Sequence, residues 1–213
     1  MRKIVFDVDD VLWSLNRKMT QMTNIDYNKL VIYDINANPE LTPDEKARIY
    51  AAYKDKALYE HIQWDESVHL INHINADIYV NSNVLSAEIE ALKREQLKRV
   101  LLIPDKNIQM NIVANHVSKS IDSDTYIFVD DCPYNIMNSK AQYNIMLACP
   151  WNTSAAVQKE LMSNGKRVII CETLGAIVHI INALLDDNSS LKQKIDDMYL
   201  DDPPETVSGK EPT

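Results

Sequence analysis

The sequence predicts an α/β fold: a Rossmann-like, three-layer parallel sheet with a small helical cap inserted after the first strand. Three observations predict it. Short apolar or β-branched runs recur at Lys3–Phe6, Asp77–Val80, Asn107–Val113, Tyr126–Val129, Ile145–Ala148 and Val168–Ile170. Segments long enough for a helix separate most of them, and strands alternating with helices assemble as a parallel sheet buried on both faces. The exception is the stretch from Leu12 to about Asn75, which carries helix signals and no convincing strand, although Val31–Ile35 is ambiguous.

The helices are marked by their caps. Thr42-Pro43-Asp44-Glu45 joins an N-cap, a proline at the first helical position and a capping-box glutamate, followed by Ala47, Ile49, Tyr50 and Tyr53. Asp65 starts a further helix carrying Val68, Ile71 and Ile74. Ser86 caps a helix over Ala87–Leu102, Thr153 or Ser154 opens one that closes at Asn164-Gly165, and Thr173 opens "LGAIVHIINALL". Residues 1–12 and 76–188 thus form the core and 13–75 the cap, above the carboxyl ends of the strands, where open α/β sheets bind ligands. Residues 189–213 read as a polar, acidic tail, with a short helix around Leu191–Leu200 and disorder over the last dozen or so residues.

Composition narrows the function. The 213 residues carry a formal charge of −9, which opposes a docking surface for polynucleotides, because phosphate contacts need clustered Lys and Arg. No apolar run approaches the roughly 20 residues that cross a bilayer. Cys132, Cys149 and Cys171 lack metal-ligand spacing and read as reduced packing residues, which with the missing secretory signal points to the cytoplasm.

Asp-Asp doublets occur at 9–10, 130–131, 186–187, 196–197 and 201–202. The first two differ from the rest because each comes directly after a run expected inside a sheet, where buried charge must be compensated. Alternation along a strand sends Asp7 and Asp9 to the same side. One could attack phosphorus while the other handles the leaving-group proton, with Mg²⁺ suppressing their repulsion and Asp130 supplying a further oxygen. The bland reading is that these acids cap a turn and a helix; two such clusters in one chain weigh against it.

At these residues the chain resembles phosphatases of the haloacid dehalogenase (HAD) superfamily, whose first motif, Asp-x-Asp-x-(Thr or Val), matches Asp7-Val8-Asp9-Asp10-Val11. The family's usual glycine is Asp10 here. The resemblance implies an HAD core, Asp7 as nucleophile and Asp9 as acid/base, with the Asp9 backbone carbonyl also on Mg²⁺. It implies Ser82 of "DIYVNSN" on a phosphoryl oxygen with Asn83 nearby, although a strand-ending Ser is usually a turn residue. The charge-balancing lysine is assigned to Lys119, eleven positions before Asp130, with Lys106 and Lys93 as alternatives. Asp130 would bind the metal directly and Asp131 through water or through Lys119.

Within the superfamily, the helical segment after the first motif, "FVDDCPYN" and "ACPWN" are similar to the 5'(3')-deoxyribonucleotidases. That implies a small phosphomonoester substrate, a nucleoside or deoxynucleoside monophosphate, with no polynucleotide and no membrane. Trp13, Tyr33, Tyr50, Tyr53 and Trp64 are available to stack on a base. A sugar phosphate, or a catalytically silent HAD-like binding protein, is the alternative, and a homodimer is left open. The histidines form no ligand constellation; His69 and His73 share a helix face without a third ligand.

Overall fold

A computed structural model describes residues 1–60, 63–113, 119–163, 165–166 and 168–200. The strands are β1 (Lys3–Phe6), β2 (Asp77–Val84), β3 (Ile108–Ile112), β4 (Thr125–Asp130), β5 (Tyr143–Leu147) and β6 (Val168–Cys171). All pair in parallel, in the order β3-β2-β1-β4-β5-β6. Every run expected to be a strand is one. β3 begins a residue late because Asp105–Asn107 forms a 3-10 turn after Pro104.

The apolar strands are covered on both faces. Ile4, Phe6, Ile127, Val129 and Ile145 pack with Ile89 and Leu97 of α4 (Ala87–Val100) and with Ile177 and Ile181 of α7 (Leu174–Leu185). Val5, Phe128 and Met146 face the other way, onto Ile136 of α5 (Pro133–Asn138) and Leu161 of α6 (Ala155–Ser163). Ser86 and Thr173 cap α4 and α7 by accepting from the amides of Ile89 and Ala176.

Between β1 and β2 the chain is helical: α1 (Leu15–Thr23), α2 (Pro43–Lys54), α3 (Ala57–Glu60) and a 3-10 segment at Val68–His73. Val31–Ile35 forms no strand. The capping box is complete: Thr42 Oγ1 accepts from the Glu45 amide, and Glu45 Oε2 accepts from the Thr42 amide. Asp65 instead starts an Asx turn on the Ser67 amide, so its helix is a 3-10 segment.

The tail is partly built into the fold. α8 (Ser190–Leu200) rests on α7 through buried Ile195, and Tyr143 donates to Asp196 at 2.5 Å. The last dozen or so residues, expected to be disordered, lie outside the described residues. Among the described residues no helix is long and apolar enough to cross a membrane.

Replacing Thr42 by Ala removes the cap that starts α2. The expected loss is about 1 kcal/mol, or a fall in Tm of roughly 2–4 °C for a chain of this size, read by thermal melts.

Candidate active site

The sheet order places a topological switch between β1 and β4. From β1 the chain fills one side with β2 and β3, then returns to the other with β4, leaving a crevice at the carboxyl ends of the two central strands. Phe6 pairs with Val129, so the next residues, Asp7 and Asp130, stand side by side, and the Asp7 amide donates to Val129 O at 2.8 Å.

Carboxylate oxygens of Asp7, Asp130 and Asp131 all lie within 4.8 Å of one another, and these residues are 4%, 0% and 2% exposed. Lys119 bridges two of them, its Nζ 2.6 Å from Asp7 Oδ2 and 2.8 Å from Asp130 Oδ2. Lys106, one alternative for this role, lines a separate cavity with Lys3 and Thr125, at the amino ends of their strands. The loop after β4 completes the support. Asp130 Oδ1 accepts from the Cys132 amide at 2.8 Å, Asn135 Nδ2 donates to both Asp130 oxygens, and Trp151 Nε1 donates to Asp131 Oδ2 at 3.0 Å.

Asp9 lies beyond β1, and a tight loop sets its position. Leu12 and Trp13 amides fold back on Val8 O, and Asp10 takes a left-handed φ of 56°. Strand alternation stops at this loop, so the Asp9 carboxylate stands apart from the trio. Its Oδ1 accepts from Trp13 Nε1 at 2.7 Å and its Oδ2 from Lys93 Nζ at 2.5 Å. The Asp10 conformation explains why glycine suits this position elsewhere. An aspartate is tolerated because Oδ1 accepts from the Asn16 amide at 2.9 Å.

Ser82, two residues beyond the Val80 partner of Phe6, is fully buried, and its Oγ accepts from Lys93 Nζ at 3.2 Å. Asn83 is half-buried; its Oδ1 accepts from Asn111 Nδ2 at 3.3 Å, and its backbone O faces Lys93. Lys93, Trp13, Asn135 and Trp151 therefore join the site in roles that the sequence does not assign them. Signals existed: Asn135 and Trp151 sit inside "FVDDCPYN" and "ACPWN", and Lys93 occupies an apolar-stripe position of α4 between buried Ile89 and Leu97.

Of the aromatics expected to stack on a base, Trp13 and Trp64 contact each other, with centroids 4.8 Å apart, and Tyr53 donates to Asn16 Oδ1. Tyr50 is exposed. Tyr33 lies edge-on to Trp151, and its hydroxyl is pushed well up, first by burial and then by Cys132, Asp131, Asp130 and Asp7.

Burial dominates the electrostatics. It pushes Asp7 up to about 7, opposed by Lys119 and reinforced by Asp130 and Asp9, and it raises Asp10 and Asp131 well above the carboxylate range. Burial pulls the Lys119 ammonium down, but Asp130 and Asp7 outweigh it and raise it. Three converging carboxyl groups, two of them joined by one ammonium, present hard oxygen donors, the donor chemistry that suits Mg²⁺.

No protein-family model matches the chain, and the comparison with curated proteins finds no match. Solved structures do match. A Clostridium difficile protein assigned as a phosphatase superposes with a TM-score of 0.53 at 14% identity, covering 84% of this chain and 98% of that one. An HAD-superfamily hydrolase of subfamily IA from Geobacter sulfurreducens gives 0.43 at 11% identity, covering 85% and 96%. An HAD-hydrolase from Bacillus subtilis, bound to magnesium, gives 0.45 at 14% identity, covering 85% and 98%. The six-stranded parallel sheet with its flanking helices is a Rossmann-like α/β fold, shared with the Clostridium difficile protein.

A carboxyl whose value is raised on folding holds its proton more tightly in the folded state. Metal-free stability should therefore fall as pH rises from the ordinary value of 3.8 through about 7, where Asp7 ionises. Mg²⁺ at about 100 times its Kd should restore ~2.7 kcal/mol, about 5–10 °C in Tm, at pH 8 and far less at pH 5. Melts with Mg²⁺ and with EDTA at the two pH values check this.

Proposed function

We propose that the chain is a Mg²⁺-dependent phosphomonoester hydrolase acting through an aspartyl-phosphate on Asp7. The observation that carries this reading is the side-by-side placement of Asp7 and Asp130 at the ends of adjacent central strands, joined by Lys119, with Asp131 in the same cluster. A pure binding protein has no use for a nucleophile so placed beside a second, separately held carboxylate. Asp7, Asp130 and Asp131 would hold the ion, with the Asp9 backbone carbonyl added by resemblance. The bound ion would neutralise the phosphate and the acids that face it.

The chain's own residues divide the remaining work. Asp7 Oδ attacks phosphorus in line while the ester oxygen leaves, and Asp9 gives that oxygen a proton. Water then attacks the aspartyl-phosphate, Asp9 takes its proton, and phosphate and free Asp7 are regenerated. Lys119 and Ser82 hold charge on the non-bridging oxygens, with Asn83 beside Ser82. Because the acids are buried, substrate entry requires a local opening, and its closing excludes bulk water.

The substrate we assign is a nucleoside or deoxynucleoside monophosphate. Its support is the resemblance at "FVDDCPYN" and "ACPWN" together with the Tyr27, Tyr33 and Trp151 rings grouped beside the acids. The protein would then act in the cytoplasm on a small ester.

Phosphate release from a panel of ribo- and deoxynucleoside monophosphates and sugar phosphates tests this. Turnover should require Mg²⁺, be highest on a nucleoside monophosphate, and fall at least about 1,000-fold in Asp7→Asn. Faster turnover of sugar phosphates would overturn the substrate class alone; full activity in Asp7→Asn would overturn the mechanism.

A further inference from the structure

We infer that Lys93 is a positioning residue for the leaving-group side of the site, acting through Asp9; the inference rests on the hydrolase reading above. Lys93 occupies the middle of the buried stripe of α4, between Ile89 and Leu97, and is 1% exposed. An ammonium in a core position is costly unless every proton finds an acceptor. Here three acceptors meet its three N–H bonds: Asp9 Oδ2 at 2.5 Å, Ser82 Oγ at 3.2 Å and Asn83 O at 3.4 Å. The rings of Trp13 and Tyr59 complete the sleeve, each with its centroid 5.5 Å from Nζ.

This arrangement fixes Asp9 from two sides. Trp13 holds Oδ1 and Lys93 holds Oδ2, so the carboxylate cannot rotate toward the trio or out to solvent without breaking a charge-assisted hydrogen bond. The two buried lysines thereby divide the site. Lys119 serves the nucleophile and the metal-side acid, whereas Lys93 serves the acid/base and the Ser82 hydroxyl. All protons of Lys93 being engaged, its influence on the reaction passes through the groups it orients and not through a direct bond to phosphate. Tyr59 belongs to α3, in the insertion, and Lys93 to α4, in the core, so the same ammonium also ties the insertion to the acid/base.

The test exploits leaving-group chemistry. Expulsion of an alkoxide needs a well-placed proton donor, whereas p-nitrophenolate leaves without one. kcat/KM reports the steps up to ester cleavage, so it isolates this half of the reaction. With the full chain and Mg²⁺, Lys93→Met and Lys93→Gln should lose about 100-fold more kcat/KM on the best alkyl ester of the panel than on p-nitrophenyl phosphate. Combined with Asp9→Asn, Lys93→Met should add less than about threefold to the alkyl-ester loss, because both changes remove one function.

Equal losses on the two esters, or multiplicative losses in the double variant, overturn the inference while leaving the hydrolase reading intact. So does failure of both single variants to fold, which would make Lys93 a structural partner. A wild type inert on every ester overturns the hydrolase reading and this one together.

Discussion

Burial of like charge at the ends of β1 and β4 is the constraint on which the rest of the site depends. Asp7, Asp10, Asp130 and Asp131 are all withdrawn from water, with Asp9 half-buried beside them. Carboxylates in such a setting either keep their protons or find cations and donors. The chain supplies both kinds of relief. Lys119 stands between Asp7 and Asp130, Lys93 holds Asp9, and the Cys132 amide, Asn135, Trp151 and the Asn16 amide each donate to one of the acids. The three clustered carboxyl groups remain the arrangement among the described residues that could hold a divalent cation.

Neighbouring parallel strands can gather these groups because their register makes their carboxyl ends level. With Phe6 beside Val129, one further residue on each strand delivers a pair of carboxylates without any special turn. The segments after the two strands differ. Beyond β4 the chain enters α5 within three residues, and Asp130 is held by the Cys132 amide and by Asn135. Beyond β1 it enters a loop with a left-handed residue, which carries Asp9 to a different set of partners. One acid therefore sits in a cluster of carboxyl groups, and the other sits apart from it between Trp13 and Lys93.

Much of this was legible in the sequence, because parallel strands are apolar throughout and end abruptly in polar residues. The six strands and the caps of α2, α4 and α7 rest on such local signals, whereas the assignment of Lys119 rests on the motif spacing of the family the chain resembles. Asp9 was harder: alternation applies only while the chain stays extended, and β1 ends at Phe6. Asp10 hid the turn, since it occupies a glycine-like conformation with a residue that rarely signals one. Lys93 was misleading in another way. A lysine on a helix ordinarily faces water, and only the buried neighbours at Ile89 and Leu97 betray that this one points inward.

On the proposed hydrolase reading, selectivity would arise elsewhere than at these charges, since any phosphomonoester would present the same oxygens to them. The insertion after β1 carries several aromatic rings, but most of them are committed. Trp13 holds Asp9 and packs on Trp64, Tyr53 binds Asn16, and Tyr59 lines the Lys93 sleeve. Tyr27 and Tyr33 differ, because both lie edge-on to Trp151, whose indole donates to Asp131. Arg17 lies over Tyr27, with its guanidinium carbon 4.6 Å from the ring centroid. On the reading proposed above, changes at Tyr27 or Tyr33 would act on substrate choice, whereas changes at Trp13 or Tyr59 would act through Asp9.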